Sequence, residues 1–332
     1  MPPRSLRLLG TGIHLPAQCV GSAALDERLG HPAGWTERKT GVRTRFFVRG
    51  ETAVTMGAAA GLAALADAGL PLGDIDAIVC ASGTAHQPIP CTAALIQEQL
   101  GPAAVGLPCF DLNATCVSFI AALDVAASLL LTGRFRRMLI ISSEVASLGL
   151  NWADPEASLI FGDGAAAAVV GCPGAAETSR VVAARMETHS VGAHLTEIRG
   201  GGSALPAACY TVERAGDFLF SMDGKAVFRF ASRHLLPFVD RLLAEARLDL
   251  RDLGLVVPHQ ASPAAVRLLV RRLGLRPGQW VDISATHANT IAASVPMALH
   301  LALAAGRLRR GEKALLLGTA AGFTMAGLIL EY

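Results

Sequence analysis

The sequence predicts an α/β protein with mixed, mainly parallel sheets, folded as two similar halves. Short apolar runs alternate along the 332 residues with longer Ala- and Leu-rich helical patterns, which is the order found in parallel-sheet folds. The composition is 52% hydrophobic and only 17% charged, as expected of strands and central helices that are buried on both sides. The third observation is an internal repeat, so the length fits one pseudo-symmetric unit as well as two ordinary domains.

Each predicted strand is a short apolar run, and each predicted helix is a longer run with helical spacing. The strands are predicted at residues 78–81, 138–142, 165–170, 256–257, 314–317 and 326–330. The helices are predicted at residues 55–68, 92–100, 117–131, 226–246, 263–273 and 291–305. Glycine turns at residues 162–164 and 318–322 each precede the last strand of their half. We expect these turns to bring backbone amides near the starts of the two central helices.

The internal repeat relates the segment around Cys116 to the segment around Asn289. Seventeen residues after each of them comes a Gly-Arg-x-Arg-Arg run, beginning at Gly133 and Gly306, which gives an offset of 173 residues. This alignment predicts that a thiol opens the helix in one copy and an amide opens it in the other. A two-fold repeat places such loops face to face, where a nucleophile from one half can meet polar groups from the other.

A second match supports the repeat. Residues 65–75 resemble residues 243–253 with an offset of 178, and two matches in the same order are hard to obtain by chance. The predicted halves are therefore residues 1–173 and 174–332, which meet in the small-residue turn at 171–176.

Three side chains are candidates for a catalytic site. Cys116 is placed at a helix N-terminus, which favours the reactive thiolate. His259 follows an apolar strand at its carboxyl end, where functional groups cluster in α/β sheets. Asn289 lies in the repeat-equivalent loop, so the three should converge. The alternatives are a buried apolar role for Cys116, a structural role for His259 with His287 as competitor, and a plain helix cap at Asn289.

Composition excludes several classes of function. The seven cysteines show no paired CxxC spacing, which argues against a metal site and against a secreted disulfide framework and favours a cytoplasmic protein. The net charge of +2 gives no indication of a nucleic-acid partner. No apolar stretch is long enough to span a membrane, and residues 1–10 lack the apolar core of a secretory signal.

Five segments of the chain form a recognisable set: residues 35–43 (WTERKTGVR), 111–119 (DLNATCVSF), 159–166 (LIFGDGAA), 257–262 (VPHQAS) and 287–296 (HANTIAASVP). They resemble segments of the β-ketoacyl-acyl-carrier-protein synthase III family of the thiolase superfamily. The resemblance covers essentially the whole chain, in order. It implies the thiolase fold, with two pseudo-symmetric halves in α-β-α-β-α layers, a homodimer, and a Cys-His-Asn site at Cys116, His259 and Asn289.

The resemblance also implies a mechanism. An acyl thioester, carried by coenzyme A or by the phosphopantetheine of acyl-carrier protein, acylates Cys116 while the backbone amides of Cys116 and Ala321 hold the oxyanion. A malonyl thioester then loses carbon dioxide, with His259 and Asn289 donating to the enolate oxygen, and a 3-oxoacyl thioester is released. No cofactor is bound permanently.

The chain departs from the family pattern at several positions. Thr319 replaces an aromatic residue near the cysteine, and Ala321 replaces a glycine. The arginine that stacks on the coenzyme A adenine opposite Trp35 is missing. Ser262 stands where the family has asparagine after His-Gln-Ala, and Ala264 stands where a basic residue is expected.

The predicted acyl pocket is formed by Ile89, Thr319 and Phe323. Ile89 matches a position that often carries phenylalanine and closes the pocket from the partner subunit. Its smaller side chain predicts a longer pocket, hence medium or longer acyl donors and a divergent member outside housekeeping fatty acid synthesis.

The predicted binding residues for coenzyme A or carrier protein are Trp35, Lys39, Arg267 and Arg271. Arginine pairs well with phosphates and with acidic proteins, although the two arginines also fit a solvated helix face. Other functions remain open: acyl transfer to an oxygen or nitrogen nucleophile, head-to-head condensation of two acyl chains without decarboxylation, and a silent partner subunit, against which the intact Cys-His-Asn set argues.

Overall fold

The computed structural model of the chain describes residues 4–332. Residues 1–3 lie outside the described residues. The predicted N-terminal half and the segment predicted to lack a secretory signal both begin there. The strands are β1 Arg4–Ser5, β2 Arg7–His14, β3 Gln18–Gly21, β4 Thr44–Phe47, β5 Ala77–Cys80, β6 Cys109–Asp111, β7 Arg137–Glu144, β8 Gly164–Gly171, β9 Arg180–Thr188, β10 Thr196–Glu197, β11 Ser221–Met222, β12 Leu255–Pro258, β13 Lys313–Ala320 and β14 Thr324–Glu331.

The helices fall between these strands in the predicted alternation. They are α1 Ser22–Leu29, α2 Trp35–Thr40, α3 Ala53–Ala68, α4 Thr92–Leu100, α5 Ser118–Leu131, α6 Pro155–Ser158, α7 Gly224–Ala246, α8 Pro263–Leu273, α9 Ser284–His287 and α10 Ser294–Ala304. Two short 3₁₀ segments precede the central helices. We refer to Thr115–Val117, before α5, as the cysteine turn and to Ile291–Ala293, before α10, as the alanine turn.

Two five-stranded mixed sheets form the frame, as predicted. The first has the order β2-β8-β7-β5-β6 and the second has the order β1-β9-β14-β13-β12. In the first sheet only β8 runs against the other four strands, and in the second β14 and β1 run against the other three. Strand directions are thus mainly parallel. Most neighbouring pairs are nevertheless antiparallel, because β8 and β14 lie inside their sheets rather than at an edge.

The layers alternate as α-β-α-β-α. The largest buried core lies between the two sheets and contains Leu123 of α5, Leu299 of α10, Ile140 of the first sheet and Leu316 of the second. Helices α3 and α4 cover the outer face of the first sheet, and α7 and α8 cover the outer face of the second. The two central helices are therefore mostly buried, with Val125, Ser128 and Leu131 of α5 exposed, which explains their high content of alanine and leucine.

Glycines in β2 let helix α3 lie directly on the strand. A Cβ at Gly10 would come within 2.4 Å of the backbone nitrogen of Ala68, and a Cβ at Gly12 would come within 2.4 Å of that of Ala64. The same glycines interrupt the apolar run of β2, and the sequence prediction missed this strand for that reason.

The change from one sheet to the other falls between β8 and β9. The predicted division at residues 173 and 174 lies in this connection and stays a prediction, because β1 at the start of the chain pairs with β9 in the second sheet. Within residues 4–332, none of the helices has the length and apolar character needed to cross a bilayer.

Candidate active site

The cysteine turn presents Cys116 at the junction of the two halves. Thr115 adopts φ 51°, a left-handed conformation that is strained for a threonine. The Ser118 hydroxyl braces the turn by accepting from the Ala114 amide at 2.9 Å and donating to the Thr115 carbonyl at 2.7 Å. Backbone amides of Cys116 itself and of Ala321, which comes from the opposite half, lie near enough to the sulfur to lower the pKa of the thiol.

The sequence prediction that the helix end lowers the pKa of Cys116 is wrong in direction. The residue as a whole is partly exposed, but its sulfur lies at depth, and burial raises the pKa of the thiol to about 12, with the charge of Glu144 adding to the effect. The two backbone amides oppose this shift without reversing it. Regular helix begins only at Ser118, so the dipole of α5 acts from beyond the cysteine.

His259 follows β12 and is 7% exposed. Its amide donates to the Leu317 carbonyl at 2.7 Å, and its Nδ1 lies 2.6 Å from the Ser294 hydroxyl. Nε2 is then the ring nitrogen that remains for a substrate. Burial lowers the pKa of His259 to about 4, so the imidazole is neutral at physiological pH.

Asn289 is held by three hydrogen bonds. Its backbone amide donates to the Ile160 carbonyl at 2.8 Å, its Oδ1 accepts from the Ile291 amide at 2.9 Å, and its Nδ2 donates to the Ala261 carbonyl at 3.3 Å. The last bond brings the carboxamide to the segment that carries His259. The alternative histidine, His287, is occupied elsewhere, with Nδ1 at 2.9 Å from the Thr286 hydroxyl.

Two glycines mark where the loops of the two halves touch. A Cβ at Gly318 would lie 2.9 Å from Cγ1 of Val117, the neighbour of Cys116, and 3.1 Å from Cβ of His259. A Cβ at Gly83 would lie 2.7 Å from Cγ2 of Ile291 and 3.3 Å from the Thr115 carbonyl carbon. The structure therefore packs the cysteine turn against both the His259 loop and the alanine turn.

The equivalence predicted between Cys116 and Asn289 is wrong by three residues. Asn113 Oδ1 accepts from the Thr115 amide at 2.8 Å, which is the same bond that Asn289 makes to Ile291. Asn289 thus corresponds to Asn113, and Cys116 corresponds to Ala292. The helix α10 has 11 residues and α5 has 14, so aligning the repeats by the Gly-Arg runs at their ends displaces their beginnings.

A cavity of about 320 Å³ opens beside the site. It is lined by His259 and Thr319 and by residues of α7 and α8, among them Phe228, Leu235 and Arg272. Of the three residues predicted for the acyl pocket, only Thr319 lines this cavity.

The other two predicted pocket residues lie elsewhere. Ile89 is 84% exposed on the surface. Phe323 is buried and packs on Phe230, with 4.1 Å between ring centroids.

Among the predicted binding residues, Trp35 makes close contacts with two neighbouring side chains. His31 stacks on its ring at 3.6 Å between centroids, and Lys39 Nζ lies 4.8 Å from the ring centre. Sequence reasoning missed His31 as a stacking partner for Trp35. Arg267 and Arg271 are exposed on α8, and the Arg267 guanidinium lies close to Gly41 at the end of α2.

Glu144 is a second residue that sequence reasoning missed. It ends β7 with no exposed surface and receives hydrogen bonds from Gly83, Thr84 and Ala292. Burial raises its pKa to about 7. The only signal in the sequence was a carboxylate at the end of a buried strand.

Comparison with known proteins agrees with this architecture. Residues 110–190 match the family model for 3-oxoacyl-[acyl-carrier-protein (ACP)] synthase III, and residues 243–332 match the model for its C-terminal part. The β-ketoacyl-[acyl-carrier-protein] synthase III of Sphingopyxis alaskensis is 36% identical over 325 residues, covering 98% of both chains. That of Rhodospirillum rubrum is 36% identical over 328 residues, again covering 98% of both chains.

Solved structures give the same result. The 3-oxoacyl-[acyl-carrier-protein] synthase III of Aquifex aeolicus superposes with a TM-score of 0.88 at 29% identity, covering 98% of this chain and 100% of the other. The priming β-ketosynthase of the R1128 polyketide pathway superposes with a TM-score of 0.88 at 32% identity, covering 99% and 97%. Fold and site define a thiolase-fold acyltransferase. The chain belongs to the 3-oxoacyl-[acyl-carrier-protein] synthase III family.

Proposed function

We propose that this chain catalyses a decarboxylative Claisen condensation, in which an acyl group carried on Cys116 is joined to a malonyl thioester and a 3-oxoacyl thioester is released. Family membership supports the class of reaction. The observation that carries the assignment of residues is the pair of amides from opposite halves, those of Cys116 and Ala321, that both act on one sulfur and lower its pKa. The thioester substrates supply the electrophile and the leaving groups, so the reaction needs no resident cofactor.

The first half-reaction acylates the cysteine. The Cys116 sulfur loses its proton and attacks the thioester carbonyl carbon, the bond from that carbon to the donor sulfur breaks, and the donor leaves as a thiol. The tetrahedral intermediate carries a negative oxygen that the Cys116 and Ala321 amides would stabilise. Loss of one such donor typically lowers the rate by about 10²–10³. An alanine at position 321 offers the same backbone amide as the family's glycine.

The second half-reaction forms the new carbon–carbon bond. The malonyl carboxylate leaves as carbon dioxide, and its bonding electrons form an enolate whose oxygen accepts from His259 Nε2 and Asn289 Nδ2. This arrangement uses the tautomer in which the Ser294 hydroxyl donates to Nδ1. The enolate carbon attacks the acyl-cysteine carbonyl, and Cys116 leaves as a thiolate and regains a proton. A low pKa suits His259, because a neutral ring donates to the enolate without protonating its carbon.

The test of this function combines intact-protein mass spectrometry with measurement of carbon dioxide release. Incubation with a panel of acyl-CoAs should add one acyl group to the wild type and none to Cys116→Ala, while Cys209→Ala, which removes an exposed thiol, should load normally. Malonyl thioester should then release carbon dioxide and discharge the acyl group. Loading without malonyl-dependent carbon dioxide release would favour acyl transfer to another nucleophile or condensation without decarboxylation.

We further propose that the enzyme is a homodimer that prefers medium or longer acyl donors and serves a specialised pathway. Ile89 is exposed in the isolated chain, as expected of a side chain that completes the pocket of a partner subunit. Thr319 leaves more room beside the cysteine than an aromatic residue. Sedimentation should give a dimer, and Ile89→Phe should shift loading towards short acyl-CoAs. Best loading with acetyl-CoA in the wild type would contradict the chain-length assignment.

We assign the binding of coenzyme A and of acyl-carrier protein to the surface around Trp35. His31 and Lys39 add an aromatic and a positive group at this ring, and Arg267 lies near Gly41 at the end of the same helix. These groups suit the adenine and phosphates of coenzyme A, and exposed Arg271 suits an acidic carrier protein. Arg271→Glu should raise KM for carrier-bound substrate more than for coenzyme A thioesters, and unchanged kinetics would argue against the surface.

All seven cysteines are free, which supports a reducing, cytoplasmic setting.

A further inference from the structure

Glu144 is a buried carboxylate that the condensation mechanism does not use. Its Oε1 accepts from the amides of Gly83 at 2.5 Å and Ala292 at 3.3 Å. Its Oε2 accepts from the amide and the hydroxyl of Thr84 at 3.1 and 2.6 Å. Among residues 4–332 no cationic side chain forms a salt bridge with it. A buried charge held only by neutral donors is costly, so its presence calls for a reason.

The carboxylate joins segments that surround the proposed nucleophile. Gly83 and Thr84 lie in the loop after β5, in contact with the cysteine turn, and Ala292 is the middle residue of the alanine turn, which follows Asn289. Glu144 thereby links a loop of the first half to a turn of the second half. The titratable groups that feel its charge are the thiols of Cys116 and Cys80, whose pKa values it raises; Asp111 also raises that of Cys80.

We propose that Glu144 is a positioning residue for the condensation, fixing the Gly83–Thr84 loop to the alanine turn and tuning the reactivity of the Cys116 thiol through its negative charge. The proposal rests on the proposed function for its catalytic part. Four donors converge on two oxygens, which only a carboxylate can satisfy. A carboxamide would offer one acceptor oxygen and would turn its NH₂ group towards amides that cannot accept. An aspartate would keep the charge but would fall one methylene short of the loop.

Three variants separate charge from geometry. Glu144→Gln removes the charge and half of the acceptors, Glu144→Asp keeps the charge and shortens the reach, and Thr84→Val removes one donor and leaves the carboxylate in place. The readouts are the pH profile of Cys116 alkylation by iodoacetamide, in a background lacking the exposed thiols of Cys19, Cys172 and Cys209, and kcat and KM for malonyl-dependent condensation.

The expected results differ between the variants. In Glu144→Gln the alkylation profile moves to lower pH by about one unit, which corresponds to roughly tenfold faster alkylation at a fixed pH below the midpoint, and kcat falls at least tenfold with KM little changed. In Glu144→Asp kcat falls while the alkylation profile stays near that of the wild type. In Thr84→Val the profile is unchanged and kcat falls less.

Each outcome decides one part of the proposal. A folded Glu144→Gln protein with an unshifted alkylation profile overturns the electrostatic part, and wild-type kcat in both Glu144→Asp and Glu144→Gln overturns positioning. Should Glu144→Gln fail to fold, as circular dichroism would reveal, Glu144→Asp and Thr84→Val carry the positioning test, and wild-type kcat in both overturns it. Alkylation does not depend on turnover. Absence of condensation in the wild type would overturn the proposed function, and the shift of the alkylation profile in Glu144→Gln would still test the electrostatic role of Glu144.

Discussion

The cysteine turn and the alanine turn are built alike but use their backbone differently. Each contains a left-handed non-glycine residue, Thr115 at φ 51° and Ile291 at φ 49°. Each follows an asparagine whose side-chain oxygen accepts from the left-handed residue's amide. Each packs against the end of a long strand from the opposite half, β13 for the cysteine turn and β7 for the alanine turn. The repeat therefore extends from the helices to the hydrogen bonds of the turns.

The difference lies in what the middle amide of each turn donates to. In the cysteine turn the amide of Cys116 faces its own sulfur, together with the Ala321 amide that follows the end of β13. In the alanine turn the amide of Ala292 donates to the carboxylate of Glu144, the last residue of β7. In the proposed mechanism the cysteine turn keeps its donors for an oxyanion that forms during the reaction. The alanine turn instead donates to the carboxyl group of Glu144, which is part of the fold.

Removing the thiol should produce the largest difference between the junctions. Cys116→Ala makes the cysteine turn resemble the alanine turn, and it should abolish acyl loading because no other side chain there can hold the acyl group. The framework should survive, so thermal unfolding should stay close to that of the wild type. Acyl loading of Cys116→Ala that persists after the exposed thiols of Cys19, Cys172 and Cys209 are also replaced would mean that the two junctions are not divided in this way.

Replacing the paired asparagines tests the same division. Asn289→Ala should lower malonyl decarboxylation by about 10²–10³, because it removes a donor to the enolate, while acyl loading of Cys116 continues. Asn113→Ala removes the equivalent bond from a residue that faces solvent, so decarboxylation by a loaded enzyme should fall much less. Equal losses in the two variants would show that both side chains serve only to brace their turns.

Sequence patterns predicted the residues proposed for the reaction but not the framework around them. The helices Thr92–Leu100 and Pro263–Leu273 were predicted to the residue, because their apolar spacing and end residues are local signals. Glu144 leaves no such signal, since its partners lie 60, 61 and 148 residues away along the chain. The pKa of Cys116 was predicted in the wrong direction for a similar reason, because burial depends on packing that a local motif does not contain.

The two junctions should respond oppositely to acid. The pKa of His259 is lowered from 6.5 to about 4, so its contribution to stability is present above pH 6.5 and is lost as the pH falls through 4. The pKa of Glu144 is raised from 4.5 to about 7, so its contribution is present below pH 4.5 and is lost as the pH rises through 7. Each shift corresponds to about 3 kcal/mol when complete, so in the wild type the two changes largely offset each other.

Single variants should expose these opposing changes. Relative to the wild type, the free energy of unfolding of His259→Gln should rise as the pH is lowered from 7 to 4.5, and that of Glu144→Gln should fall. Urea unfolding followed by circular dichroism at several pH values measures both. Parallel curves for wild type and variants would mean that folding shifts the pKa of neither group.

The smallest expected effect comes from the paired serines that begin the two central helices. Ser294 orients His259 through a 2.6 Å contact with Nδ1, whereas Ser118 braces the cysteine turn itself. One hydrogen bond is worth about 1 kcal/mol, so Ser294→Ala should slow decarboxylation by roughly fivefold to tenfold without changing acyl loading. Ser118→Ala should instead slow loading by a similar factor, because the turn that holds Cys116 loosens. Measuring the two half-reactions separately in both variants distinguishes these effects, and a Ser294→Ala protein slowed equally in both steps would place that serine in the framework rather than behind the imidazole.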